Sequence, residues 1–378
     1  MTTTLRTAPG LRRPRPDPDG GEAAIAGGAA AKLIDRGRGP LVLLFYHGFE
    51  IQANPGRLGQ LKSMLRSRLR TSYRRLRGKQ VHTGFYTAFL GLVAALRRVG
   101  CEVRINDFVL ARAMPDYPVG IAGYTGILER VANLTNPMLF GPGDPGHPTE
   151  AGRLRASTTI HHIIQPSDWY VALYRAACGD AVVRWPVGID VAAFPDARDH
   201  AKDIDVVIYD KIRWHRDRVV PAVLDRLVRH LDARGLSYVV LRYGDHTREE
   251  YFERLRRGRA LAFLCEHETQ GLACQEAMAM NVPVFAWDEG ELVDPIQRPM
   301  APAGLWASSV PYFSEACGVR FTSQTLEPCF DEFWKRLESF NPRNYVAAEL
   351  GIEKSAADYL ALLTATSRHR TAASPYSA

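Results

Sequence analysis

Runs of apolar residues alternate with amphipathic stretches along most of this sequence. Residues 40–49 form a continuous apolar run that ends in a polar turn, as expected of the first buried strand of a parallel sheet. In the second half, apolar runs ending at Tyr209 and Cys265 are separated by stretches of helical periodicity, and residues 308–313 and 317–321 predict further short strands. Strands joined by helices form right-handed parallel units. A chain of 378 residues is long enough for two such α/β domains.

One stretch, residues 263–287, has the pattern of an anion-binding site. An apolar strand is followed by a loop that carries Glu268, by Gly271 at the predicted start of a helix, and by a second apolar strand. Such a helix start presents free backbone N–H groups and the positive end of its dipole to a phosphate. Glu268 and Glu276 flank this pocket, and carboxylates accept hydrogen bonds from sugar or ribose hydroxyls. The simpler alternative is that Glu276 is a solvated helix residue and Glu268 a loop charge.

The same stretch resembles the donor-binding signature of the retaining glycosyltransferases usually called family four. Its parts follow in the same order: Glu268, then Gly271 and Leu272, then Glu276 at the start of Glu-Ala-Met-Ala, then a Pro-Val strand. Residues 180–194 also resemble the linker between the two domains of that family. The resemblance implies the GT-B fold, an α/β architecture of two Rossmann-like domains that face a central cleft. It further implies transfer from a nucleotide-sugar donor with retention of anomeric configuration.

The resemblance implies further donor-binding residues in the second domain. The family carries an Arg/Lys pair on the loop after the first strand of this domain. Lys211 matches one cation, and either Arg213 or Arg216 is expected to be its partner. Together with the N–H groups at Gly271 and Leu272, these cations would bind the diphosphate of the donor. No resident cofactor is expected, because the nucleotide sugar is a co-substrate.

Two positions of the first domain are also candidates. Gly84 resembles the glycine of a loop that faces the cleft in this family. His147 lies in a proline-stiffened loop, and the family often has a histidine in this domain that contacts the transferred sugar or the acceptor. A turn histidine without a role is the alternative. The catalytic candidates are therefore His147 and Glu268, which is expected to hold donor-sugar hydroxyls near the anomeric carbon, while Glu276 is expected to bind the ribose hydroxyls.

The net charge of +7 is concentrated in one region. Between residues 51 and 101 there are eleven Lys or Arg and no Asp or Glu. Within this region, residues 56–79 place leucines at helical spacing with basic residues beside them, which predicts a basic amphipathic helix. One hypothesis is docking on an anionic membrane surface. The alternatives are a helix packed on its own domain with a solvated basic face, or a site for an anionic glycan or nucleic acid; a nucleic-acid partner is not expected.

The rest of the sequence sets bounds on location and metal chemistry. No apolar run approaches the length of a bilayer span and the first residues lack an apolar signal core, so a cytoplasmic protein is expected. Six scattered cysteines without a Cys-x-x-Cys pair predict reduced thiols. Asp203 and Asp205 spell the metal-binding D-x-D motif of another glycosyltransferase fold, but they open a strand and face no other carboxylate cluster, so no metal site is predicted.

These assignments divide the chain into five segments. Disordered tails are predicted at residues 1–39 and 366–378 from their composition. Between them we expect an acceptor domain, a donor domain and a helix that returns to the first domain, at residues 40–186, 187–345 and 346–365.

The expected activity is metal-independent transfer of a hexose to the hydroxyl of a glycan or lipid-linked acceptor, in cell-envelope or exopolysaccharide synthesis at the inner face of the membrane. One alternative is a non-catalytic protein of the same fold that binds nucleotide sugars, anionic glycans or membranes. A second is a GT-B phosphorylase or epimerase.

Overall fold

The first of two parallel sheets is built around the apolar run near the start of the chain. The computed structural model describes residues 33–35, 37–48, 50, 51, 53 and 84–367. The six strands of this sheet are ordered β2-β1-β3-β4-β5-β6. They are β1 Leu41–His47, β2 Glu102–Ile105, β3 Val119–Tyr124, β4 Met138–Asp144, β5 Ile160–Gln165 and β6 Val182–Arg184.

Strand β1 is buried on both faces of its sheet, so its sequence is apolar at successive positions rather than at every second one. Leu41 and Leu43 pack into a core on one face of the sheet, and Val42 and Leu44 pack into a separate core on the other. All four are at most 1% exposed. A parallel sheet that is covered by helices on both faces buries successive side chains alike.

The second sheet repeats this architecture with five parallel strands in the order β11-β10-β9-β7-β8. They are β7 Ile204–Lys211, β8 Tyr238–Arg242, β9 Gly258–Cys265, β10 Val284–Trp287 and β11 Gly318–Phe321. Alternate residues of β7 again enter two cores, since Val207 and Tyr209 lie on one face and Val206 and Ile208 on the other. The two sheets with their flanking helices form two α/β halves of the same architecture.

Helices cover both faces of the two sheets. Those that flank the first sheet in sequence are Gly84–Arg98, Phe108–Ala113, Ile127–Val131, Pro148–Ser157 and Asp168–Cys178. Those of the second half are Arg216–Val219, which continues through the π-helical Val220–Leu224 into Asp225–Ala233, and Arg248–Arg257, Leu272–Ala279, Leu326–Lys335, Pro342–Glu349 and Ile352–Thr366. Among the residues that the structure describes, no helix combines the length and the apolarity needed to cross a membrane.

The chain crosses back to the first sheet twice after β10. Leu292 and Ala307, from the segment that follows β10, are buried in the same core as Leu41. The last helix, Ile352–Thr366, packs against the helix Gly84–Arg98 and adds Tyr359 to the core on the other face. The first-sheet and second-sheet halves are therefore held together by shared apolar cores as well as by the linker.

One predicted strand is wrong, and one predicted helix lies outside the described residues. Residues 308–313 form a loop instead of a strand, because Ser308 and Ser309 donate hydrogen bonds to the buried Asp288 carboxylate at 2.8 and 2.9 Å. Side-chain partners replace the strand ladder there. The basic stretch at residues 56–79 is not among the residues that the structure describes, and most of the two predicted tails is not either.

Candidate functional site

The helix Leu272–Ala279 begins at the carboxyl edge of the second sheet, where its sequence predicted a helix start. Gly271 is the N-cap residue and has left-handed backbone angles, with φ 83° and ψ 43°. An alanine Cβ at this position would meet no atom closer than 3.7 Å, so the backbone angle rather than the space favours glycine. The N–H groups of the first helical turn lie beyond this cap, where they are suited to an anion.

Lys211 and Glu268 form an ion pair at this edge of the sheet. Strands β7 and β9 are neighbours, and Lys211 is in register with Cys265, three residues before Glu268. The Lys211 Nζ donates to Glu268 Oε1, and the two side chains are only 13% and 11% exposed. Burial lowers the pKa of Lys211, but the Glu268 carboxylate together with Cys265 and Tyr243 outweighs it, so the net shift is upward. The ammonium group therefore stays charged in a largely buried setting.

Arg213 lies in the loop that follows β7 and borders the Glu268 loop. Its guanidinium donates to the backbone oxygen of His267 at 2.8 Å and stacks on the Trp214 ring at 4.2 Å. The His267 ring in turn stacks on Trp214 at 4.9 Å and meets the edge of Trp169 at 5.7 Å. Burial, followed by the nearby Arg213 charge, lowers the pKa of His267 to about 4. The imidazole is neutral at physiological pH.

The position of this loop depends on a carboxylate that the sequence reasoning missed. Glu266 is only 5% exposed, and it accepts the backbone N–H groups of Arg213 and Trp214, each at 2.9 Å. It therefore ties the loop after β7 to the loop after β9. The available signal was a charged residue placed directly after a fully buried strand, where an unpaired carboxylate would be costly.

Arg216, the other candidate partner of Lys211, is already bound within its own loop. Its guanidinium forms a bidentate pair with the buried Asp210 carboxylate at 2.9 and 2.7 Å and donates to the backbone oxygen of Ile212 at 2.6 Å. The hydrogen bonds that Arg216 donates to the Asp210 carboxylate raise the pKa of Arg216. Of the two arginines, Arg213 is the one that contacts the Glu268 loop.

Glu276 lies on the second turn of the same helix and is mostly buried. Its side chain is 18% exposed, and its Oε1 accepts a hydrogen bond from Arg248 at 2.6 Å. Burial raises the pKa of Glu276, while Arg248 opposes this shift. Because the Arg248 side chain is 61% exposed, this partner is held on the solvent side of the carboxylate.

The two candidates from the first domain lie near a cavity of about 270 Å³. His147 lines it and caps the helix Pro148–Ser157, accepting the backbone N–H of Thr149. Gly84 is exposed at the start of its helix and does not line this cavity, although the next residue, Phe85, does. The second half of the chain contributes Thr269, the residue after Glu268, together with Ile296, Gln297 and Met300. The structure thus brings His147 to the cleft near the Glu268 loop.

The two aspartates of the D-x-D sequence point to different partners. The Asp203 carboxylate accepts hydrogen bonds from Arg257 at 2.9 and 2.5 Å. The Asp205 carboxylate accepts the backbone and hydroxyl groups of Ser237, both at 2.9 Å. These contacts occupy both carboxylates. They lie at the amino end of β7, the opposite end from Lys211.

Comparison with known proteins identifies the fold. No family model and no curated protein matches this chain. Sucrose-phosphate synthase from Thermosynechococcus elongatus has 13% identity and a TM-score of 0.50, covering 85% of this chain and 98% of its own. AviGT4, a glycosyltransferase involved in avilamycin A biosynthesis, has 14% identity, a TM-score of 0.43 and coverage of 87% and 99%. HepE from Anabaena, solved with UDP and glucose, has 13% identity, a TM-score of 0.44 and coverage of 85% and 99%. The predicted GT-B fold is confirmed.

Proposed function

We propose that this chain is a glycosyltransferase that moves a sugar from a nucleoside-diphosphate sugar to an acceptor hydroxyl. The observation that carries the proposal is the Lys211–Glu268 pair at the carboxyl edge of the second sheet, beside the helix that begins after Gly271. A cation, a helix N-terminus and a carboxylate are there combined in one place. Ligands of open α/β sheets bind outside this edge.

The leaving group of such a reaction is a nucleoside diphosphate, which gains negative charge as the sugar departs. Lys211, Arg213 and the N–H groups at Gly271 and Leu272 would stabilise that charge, and this kind of electrostatic stabilisation is usually the largest contribution to catalysis. The ammonium group of Lys211 has three donors. It can therefore bind a phosphate oxygen while it keeps its hydrogen bond to Glu268.

The two glutamates are suited to hydroxyl groups. We assign Glu268 to the donor-sugar hydroxyls near the anomeric carbon, because it is held by Lys211 next to the predicted diphosphate site. We assign Glu276 to the ribose hydroxyls, because it lies on the second turn of the helix Leu272–Ala279, beyond the N–H groups assigned to the diphosphate. Burial raises the pKa of Glu276, and Arg248 donates a hydrogen bond to its carboxylate. The group is therefore held in place rather than freely solvated.

The finer parts of the proposal rest on the resemblance of residues 263–287 to family four and on the charge pattern. They are a retaining, hexose-transferring reaction that needs no metal ion, and a role in cell-envelope or exopolysaccharide synthesis. The basic stretch at residues 56–79 would hold the protein at an anionic membrane surface, near a lipid-linked or glycan acceptor. Flotation with anionic and neutral liposomes tests this last part, and equal recovery on both would contradict it.

The central proposal is tested with the full chain in two steps. A thermal-shift screen of nucleoside diphosphates identifies the base, and the matching sugar nucleotides are then assayed for acceptor-dependent release of the diphosphate. We expect Glu276→Ala to weaken donor binding about tenfold, the effect of one or two lost hydrogen bonds to hydroxyls. We expect Glu268→Gln mainly to lower kcat, because its contacts tighten as the sugar leaves.

Glu327→Gln is the matched control, because Glu327 is also a carboxylate paired with an arginine, Arg226, and lies in a different helix, Leu326–Lys335. Wild-type kinetics in both Glu268→Gln and Glu276→Ala would refute the assignment. Nucleotide binding without any acceptor-dependent release would instead favour the non-catalytic alternative.

A further inference from the structure

The cavity beside the Glu268 loop is separate from the predicted donor site. Most of its wall belongs to the first-sheet half of the chain, around the carboxyl ends of β4 and β5, and neither Lys211 nor Glu268 lines it. Thr269 joins the two sites, because it lines the cavity and directly follows Glu268. A volume of about 270 Å³ corresponds to roughly nine water molecules, which is enough for one monosaccharide ring.

Gln165 is an unsatisfied polar group in this wall. It ends β5, it is 1% exposed, and its Nε2 has no hydrogen-bond partner among the residues that the structure describes. Buried amides are nearly always hydrogen-bonded, and an unpaired one calls for a partner from outside the chain. An amide group both donates and accepts. Hydroxyl groups, which do the same, are the matching partners.

Two further groups of the wall complement Gln165. The Nδ1 of His147 accepts the backbone N–H of Thr149 and lies 2.9 Å from the Thr149 hydroxyl, and Nε2 is the second polar atom of the ring. The Asp144 carboxylate accepts the N–H of Gly146 at 2.9 Å through Oδ1, and its second oxygen is a further acceptor. The cavity wall thus supplies a carboxylate that accepts hydrogen bonds, an imidazole ring, and an amide that both donates and accepts.

The charge of the wall selects against anions. Its fifteen residues include the Asp144 carboxylate and, within the described part of the chain, no lysine or arginine. An anionic group in this cavity would meet a like charge without a compensating cation. The remaining wall is largely aromatic and aliphatic, with the side chains of Phe85, Tyr170 and Met300 among it. Such a surface suits the C–H faces of an uncharged sugar ring.

We propose that this cavity binds a neutral, hydroxyl-rich monosaccharide unit of the acceptor, and that Gln165 and Asp144 determine this specificity. That this sugar is part of the acceptor rests on the proposed function. The neutral, hydroxyl-rich chemistry of the ligand does not. The basic stretch at residues 56–79 suggests an anionic glycan instead. The two ligands are compatible, because that stretch would contact a different part of the acceptor or a membrane.

The test measures binding to the full chain by isothermal titration calorimetry, with and without a saturating nucleoside diphosphate. The probes are methyl glucoside, methyl galactoside, methyl glucuronoside and glucose 6-phosphate. We expect at least one neutral glycoside to bind about tenfold more tightly than the uronoside and the sugar phosphate, the discrimination expected for one lost or repulsive polar contact. Asp144→Asn should bring the neutral and anionic probes to within about threefold of each other.

The variant Gln165→Leu tests glycoside binding independently of the stability of the fold. It should weaken the neutral glycosides about tenfold while leaving the thermal stability unchanged or increased, because it removes an unpaired buried amide. Glu327→Gln serves again as the control and should change neither quantity. Retained nucleoside-diphosphate binding would show that each variant is folded.

The possible outcomes distinguish this inference from the proposed function. Equal or tighter binding of the anionic probes, or unchanged glycoside affinity in Gln165→Leu, would overturn the inference whether or not nucleotides bind. Neutral-selective binding without nucleotide binding would leave the cavity assignment standing and remove the donor site. The absence of any glycoside binding would overturn the inference while leaving the nucleotide result to decide the proposed function.

Discussion

The Lys211–Glu268 pair allows a quantitative test of how the site is held. The perturbations are Lys211→Met, Glu268→Gln and the double variant, each of which keeps the approximate length of the side chain. With exposures of only 13% and 11%, both partners lie largely out of water. Removing one partner of a buried ion pair leaves an uncompensated charge, whereas removing both leaves none.

The expected magnitudes follow from this asymmetry. Loss of one partner of a buried pair costs about 3 to 5 kcal/mol, and the residual exposure of both side chains favours the lower end, about 3 kcal/mol for Lys211→Met. Glu268→Gln should cost less, about 2 kcal/mol, because the amide oxygen still accepts from the ammonium group. For the double variant we expect about 2 kcal/mol, so the coupling energy is about 3 kcal/mol, the upper end for contacting residues.

Urea unfolding, followed by circular dichroism and by tryptophan fluorescence with coincident transitions, supplies the four free energies of unfolding. Lys354→Met is the matched control. It breaks the exposed pair with Asp358, whose side chains are 51% and 46% exposed, and should change stability by less than about 0.5 kcal/mol. If the two site substitutions are additive to within about 0.5 kcal/mol, the two side chains do not interact and the reasoning fails.

Three further predictions concern other parts of the structure. The pKa of His267 is about 4 in the fold against an ordinary value of 6.5, so between these pH values only the unfolded chain binds the proton and stability falls as the pH drops. From pH 7 to 5 this loss is about 2 kcal/mol, and His267→Phe should remove it from the measured pH profile of unfolding. Gly143→Ala should lower the melting temperature, because its Cβ would lie 2.3 Å from the backbone oxygen of Gly123, whereas Gly84→Ala meets nothing within 4 Å and should not. Gln270→Leu should cost about 2 to 3 kcal/mol in urea unfolding, because it leaves the buried backbone N–H and C=O of Val187 without their side-chain partner; an unchanged midpoint would contradict the described linker contact.

The apolar pattern of the sequence predicted the α/β class and its parallel strands, whereas the GT-B arrangement was implied by the resemblance of residues 263–287. The continuous apolar run of β1 predicted a strand buried on both faces, and the structure fills a separate core with each set of alternate residues. The glycine at position 271 likewise marked the start of the helix Leu272–Ala279. These features are local, since the period of side-chain burial and the backbone angle of one residue are specified by neighbouring residues in sequence. The failed strand at residues 308–313 shows the limit, because its serines bind a carboxylate from another segment.

The partners within the site could not be read from the sequence, because they depend on which strands are neighbours. Lys211 meets Glu268 only because β7 lies beside β9 in the order β11-β10-β9-β7-β8. The same neighbourhood turns Glu266 toward the loop after β7, while Arg216 folds back onto Asp210. Gln165 is left without a partner by the packing around the end of β5. Hydrogen bonds and ion pairs between residues more than fifty positions apart are fixed by tertiary packing, so only the folded chain decides which polar groups are paired and which remain available to a ligand.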